Sequence, residues 1–229
     1  MSTAASASAL TGAVGDAQEP VEVLAAVARH FLSQALALLQ ETATSDELLS
    51  HPSKLSPGST VGKHLRHLAD HYAALFQAVE GATAASGASP TSPSHPSSSR
   101  ANESPLRLSY DNRARNVAAE TSHAAAVRQF EDLQERLERL VGGAKADGRG
   151  RIGAEREIRL EAVTPVKVEV GTTFARELWF ASFHAVHHFA LIRVIACGEL
   201  GLTVPDDFGV APSTLKHRES EASASPTKL

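Results

Sequence analysis

The chain has 229 residues and a net charge of −4, enough for one hydrophobic core and without the basic footprint of a nucleic-acid binder. Its single cysteine, Cys197, excludes an intramolecular disulfide and a cysteine-based zinc site. Histidine, with 11 copies, is the compositional outlier.

Residues 1–18 are rich in Ala and Ser and read as a disordered tail. They have no basic, apolar leader pattern of a secretory signal and no Arg or Lys of a transit peptide. Pro20 suits the first turn of a helix. From there Val21, Leu24, Ala28, Phe31, Leu32, Ala35 and Leu39 recur at helical spacing and predict a first helix over 20–42. A loop follows, punctuated by Pro52, Pro57 and Gly58, with a short turn at 45–49. Ser59 or Thr60 can cap the second helix, whose stripe is Val61, Leu65, Leu68, Tyr72, Leu75, Phe76 and Val79. His64, His67 and His71 gather on the flank of that stripe.

Residues 81–105 are a Ser/Pro/Ala-rich stretch that cannot bury enough apolar surface to offset its ordering entropy, and they read as a disordered insertion. An extended lead-in then reaches a third helix over 112–141, with Val127, Phe130, Leu133, Leu137 and Val141 inward and a charged outer face. After a Gly-rich loop, alternation in 158–163 and 166–170 around Thr164 and Pro165 predicts a short hairpin or two extended arms.

The stretch 176–200, RELWFASFHAVHHFALIRVIACGEL, is apolar on nearly every side. It reads as the central, buried helix, opened by a Thr172 or Thr173 cap. Glu177, Arg193, Glu199 and its histidines argue against a membrane span. Cys197 within it reads as an inert core residue. Residues 216–229 read as a second disordered tail. The ordered domain is thus 19–215, all-α, an antiparallel four-helix bundle with the short hairpin before its last helix.

A helix turns about 100° per residue, so His184 and His188 lie about 40° apart on one face, with His187 beside them. Buried imidazoles need partners. The spacing H-x-x-x-H lets two rings reach one ion, and a third ring from the second helix would complete a three-His site with open coordination positions. By geometry, any of His64, His67 and His71 can supply that ring. Nitrogen donors without thiolate suit Zn²⁺ first, with Ni²⁺ and Fe²⁺ also fitting. A bundle whose buried histidines hold only hydrogen bonds, with no metal, is the structural alternative.

Five segments together resemble one family: VGKHLRHLADHY at 61–72, YDNRAR at 110–115, RELWF at 176–180, HAVHHF at 184–189 and FGVAPST at 208–214. They are similar to motifs of the DinB/YfiT-like superfamily of metal-dependent helical-bundle proteins. The resemblance implies that His67, His184 and His188 hold one divalent metal. It makes His71 and His187 candidate orienting groups or bases, His71 the better placed for the former. Arg113 and Arg115 become candidates for binding an anionic group of a substrate, or for pinning the loop through Asp111 or Glu177. Relatives of this kind imply a thiol-dependent transferase or a hydrolase-like enzyme, with a low-molecular-weight thiol as a further cofactor. A non-catalytic metal-binding or interaction module is the alternative. The same reading expects a small-molecule substrate, no nucleic acid, no membrane, room for a homodimer, and a cytoplasmic location.

Overall fold

The computed structural model describes residues 19–86, 104–111, 117–142 and 152–224. The N-terminal tail, the insertion from 87 to 103, Arg113, Arg115, most of the Gly-rich loop and the last five residues lie outside the described residues.

Helix α1, Pro20–Ala37, begins with proline at its first turn, where the missing N–H costs nothing. It widens into a π-helical turn, Leu38–Thr42. Short helix α2, Asp46–Ser50, is capped by Ser45, whose side chain accepts from the Leu48 N–H. Helix α3, Val61–Ser86, starts where Thr60 Oγ1 accepts from the Lys63 N–H at 3.0 Å. Helix α4, His123–Val141, is capped by Ser122. Helix α5, Phe174–Arg193, is capped by Thr173 and ends in a second π-helical turn, Val194–Glu199. Helix α6 is Pro212–Ala224.

The four long helices meet around one core. α3 packs on α5 and α4, and α1 packs on α4 and α5. Among the described residues, Phe31, Tyr72, Phe76, Phe130, Phe174 and Phe189 are its largest wholly buried side chains. Full burial of a residue of this size contributes about 1.5–3 kcal/mol, so the helix faces that carry these rings dominate the packing.

The fold is mostly helical, but it is not all-α. Three strands form a sheet in the order β1, β2, β3. The expected hairpin is present as β2, Glu157–Val163, antiparallel to β3, Lys167–Thr173. To it is added β1, Leu106–Ser109, which pairs parallel to β2 with Leu106 opposite Ile158. The reason lies in alternation. Leu106 and Leu108 are buried on one face of β1 while Arg107 is exposed, and β2 satisfies the backbone groups that an isolated extended segment would leave open. The sheet is laid against α3 through β1.

Several boundaries differ from the sequence reading. The second helix runs on to Ser86, six residues into the stretch read as an insertion, because Ala and Ser there do not break it. The third helix begins at His123; a 3₁₀ turn, Ala118–Glu120, precedes it. The chain is helical over 216–224, where a tail was expected, with Leu215 buried against the body. The central helix is not buried all round. Trp179, Phe183 and Val194 are about half exposed, the two rings stacked at 5.2 Å, and Cys197 is exposed on the same face. By length and composition 20–42 and 174–199 are apolar enough to cross a membrane, interruptions in the latter notwithstanding. In each, 44% of the most apolar stretch is buried inside the protein.

Candidate metal centre

Packing of α3 against α5 sets two histidine-bearing faces opposite each other. His67 from α3 and His184 and His188 from α5 each bring one ring nitrogen into a group whose atoms all lie within 4.8 Å of one another. This trio could hold a metal ion. His188 Nε2 lies 3.0 Å from His184 Nε2. The rings of His67 and His188 are 4.7 Å apart between centroids, and those of His67 and His184 are 5.2 Å apart. The i, i+4 spacing puts His184 and His188 on one face of α5, and the facing helix α3 brings His67 to them.

The remaining histidines divide into two kinds. His64 and His71 are buried beside the trio, whereas His187 is on the exposed face of α5, its ring 5.0 Å from that of His188. His64 Nδ1 meets His188 Nδ1 at 2.9 Å, and His64 Nε2 meets Ser59 Oγ at 2.6 Å. His71 Nδ1 donates to the His67 carbonyl at 3.0 Å. A carbonyl can only accept, so Nδ1 of His71 carries its proton and Nε2 keeps a lone pair while the ring is neutral.

Electrostatics disfavour a charge on two of these rings. Burial, followed by the surrounding imidazoles of His184, His67, His64 and His187, pushes His188 down to about 2. Burial, then His187, lowers His64 as well. Neutral imidazole is the form that ligates metal. The donor set is three nitrogens with no carboxylate or thiolate, which fits Zn²⁺, Ni²⁺ or Fe²⁺ better than Mg²⁺ or Ca²⁺.

A second polar assembly borders the cluster. The His71 ring stacks on Tyr110 at 4.7 Å, and the Tyr110 hydroxyl donates to Glu177 Oε2 at 2.9 Å. Glu177 Oε1 accepts from Thr172 Oγ1 at 2.8 Å and from Arg176 Nη1 at 2.7 Å. Asp111 Oδ2 accepts from the Val163 N–H, so the start of the YDNRAR segment is tied to β2. Arg113 and Arg115, the candidates for an anionic group, are outside the described residues. Phe208 of the FGVAPST segment is buried and stacks on Phe189 at 4.6 Å, next in sequence to His188. Sequence reasoning offered Ser59 only as a helix cap. Thr60 takes that role, and Ser59 turns to His64 instead; a hydroxyl five residues before the histidine was the one available signal. Two surface depressions, one lined by Glu41, Thr42 and 203–206 and one by residues of β2 and β3, include none of these histidines.

Fold and site together define a mostly helical protein with a three-histidine group between two core helices. The family model described as the DinB superfamily matches residues 23–192. The chain belongs to the DinB superfamily. It is also similar to FK506-binding protein 5 of Rhizopus delemar, with 29% identity over 190 residues, covering 81% of this chain and 36% of the relative. The chain therefore spans about a third of the length of that curated relative. No solved structure matches.

Proposed function

We propose that this chain binds one divalent metal ion, with Zn²⁺ the leading candidate, through His67, His184 and His188, and that it is a metal-dependent enzyme of the thiol-transfer or hydrolase-like kind. The observation that carries the reading is the convergence of three imidazole ring nitrogens from two helices within 4.8 Å. An all-nitrogen trio leaves coordination positions open, unlike a closed structural site. When bound, the ion would supply Lewis acidity, lowering the pKa of a water or thiol near it. The protein's own part is to fix the imidazoles in place and, by burial, to hold His188 neutral. His71, with Nδ1 committed to the His67 carbonyl, keeps Nε2 as an acceptor and is the candidate base or orienting group. His187, exposed at the rim, is the second candidate. We read the four long helices as an antiparallel bundle enclosing this site, acting in the cytoplasm on a small-molecule substrate, with a homodimer compatible and no nucleic-acid or membrane partner.

The deciding experiment is elemental analysis of protein purified without a His-tag, beside a His184→Ala/His188→Ala variant. About one divalent ion per chain, lost in the variant, is the expected result. No ion in either, even after reconstitution with Zn²⁺, Ni²⁺ and Fe²⁺, would overturn the reading. Given a bound ion, thiol-transfer and hydrolysis panels separate an enzyme from a non-catalytic metal-binding module.

A further inference from the structure

We infer that His64 is the outer-sphere partner that orients His188 toward the metal, through a hydrogen-bonded line running Ser59–His64–His188. The inference rests on the metal-binding reading above and adds residues to it. It starts from nitrogen positions. His188 Nε2 faces His184 Nε2 at 3.0 Å, which is the side of the trio. His188 Nδ1 faces away from it, to His64 Nδ1 at 2.9 Å. A ring that gives the Nε2 lone pair to a cation keeps its proton on Nδ1. His64 Nδ1 must then accept that proton's hydrogen bond. His64 therefore carries its own proton on Nε2 and donates it to Ser59 Oγ at 2.6 Å. One choice of ligand atom fixes both tautomers, and no atom in the line is left without a role.

The far end of the line is built to stay in place. The Ser59 N–H donates to the Ser56 carbonyl at 3.1 Å, and the Ser59 carbonyl accepts from the Ser53 N–H at 3.0 Å. The same loop is fastened to the end of the helix that carries His188, because Glu199 accepts from Ser53 Oγ at 2.6 Å and from the Lys54 N–H at 2.8 Å. Outer partners of this kind fix ring orientation and raise ligand basicity, and losing one weakens metal affinity roughly 10–100-fold. A carboxylate or carbonyl usually fills that place; here a second imidazole does.

The test is Zn²⁺ affinity by chelator competition for wild type, His64→Ala, His64→Asn and Ser59→Ala. His64→Ala should bind about one ion per chain roughly 10–100-fold more weakly. His64→Asn places an amide oxygen near the former Nδ1 and should recover most of the loss; Ser59→Ala should lose less than His64→Ala. In the Zn²⁺-loaded wild type, ¹⁵N-detected imidazole spectra should show His64 as the Nε2–H tautomer and His188 as Nδ1–H, a readout that does not depend on any variant folding. An unchanged affinity in His64→Ala, or His64 as the Nδ1–H tautomer, would sink the inference alone. So would a Co²⁺ spectrum altered as for a lost inner ligand. A wild type that takes up no metal would bring down the metal reading itself.

Discussion

The carboxylate of Glu177, with none of its surface exposed, accepts the hydroxyl of Tyr110 at 2.9 Å. That bond joins the end of β1 to the first turn of α5, and the Tyr110 ring carries the contact on to His71. Burial and then Glu177 raise the tyrosine's pKa, so it remains a donor. Hydrogen bonds to charged groups contribute about 1.5–3 kcal/mol, and a buried carboxylate deprived of a donor is costly. Tyr110→Phe should therefore lower stability by about 1.5–3 kcal/mol, read as a lower midpoint in urea. An unchanged midpoint would show that Thr172 and Arg176 satisfy the carboxylate without it.

A different constraint acts at Gly62, in the first turn of α3 and two residues before His64. A Cβ built there would lie 2.0 Å from the Glu120 carbonyl oxygen and 3.2 Å from that of Leu49. Both neighbours are backbone, so neither can swing aside. Arg66, one turn on, pairs with Glu120 at 3.0 Å and holds the same junction closed. Gly62→Ala should cost about 1–3 kcal/mol, the range for overpacking a filled site. Since α3 must move to relieve it, Zn²⁺ binding should weaken too. Wild-type melting and binding by Gly62→Ala would show that the contact relaxes freely.

These two sites mark where the sequence was legible and where it was not. Helical spacing placed His184 and His188 on one face and His67 on another helix, because the 3.6-residue period is local. The hairpin was legible for the same reason, in its period of two. The parallel pairing of β1 with β2 was not, since it joins Leu106 to Ile158 across more than fifty residues and no local pattern encodes the partner. The closeness of Gly62 to Glu120 is invisible for the same cause: a glycine in a helix announces nothing about what crosses it. Choosing among His64, His67 and His71 by periodicity also failed, because all three share a flank. Only the angle at which α3 meets α5 gathers His67 with the α5 pair and leaves His64 behind His188.

His30 offers a pH prediction away from the cluster. Its Nε2, on α1, is buried without a hydrogen-bond partner among the described residues, as is Asp207 Oδ2. Burial lowers the His30 pKa, outweighing the opposing pull of Asp207. As pH falls through about 6.5, the unfolded chain takes up a proton that folded His30 refuses. This contribution is flat above that pH, and stability declines below it. His30→Leu removes the term, so the variant should melt above wild type at pH 5.5 and by a smaller margin at pH 7.5. The same margin at both pH values would mean that His30 titrates normally in the folded protein.

Metal should also register as stability, and the size of the effect can distinguish the α3 histidines. A ligand that binds only the folded state at a hundred times its Kd adds about 2.7 kcal/mol. For a protein of this size each kcal/mol shifts the melting temperature by about 2–4 °C. Zn²⁺ should therefore raise it by about 5–11 °C, and a chelator should reverse the shift. His67 belongs to the group within 4.8 Å, whereas His71 spends Nδ1 on a backbone carbonyl and is not among the three. At fixed Zn²⁺, His67→Ala should abolish most of the shift and His71→Ala should keep most of it. The reverse order would move the α3 ligand one turn along the helix, to the residue that stacks on Tyr110. The Glu177 network would then support a metal ligand directly, and Tyr110→Phe would have to weaken metal binding as well as stability.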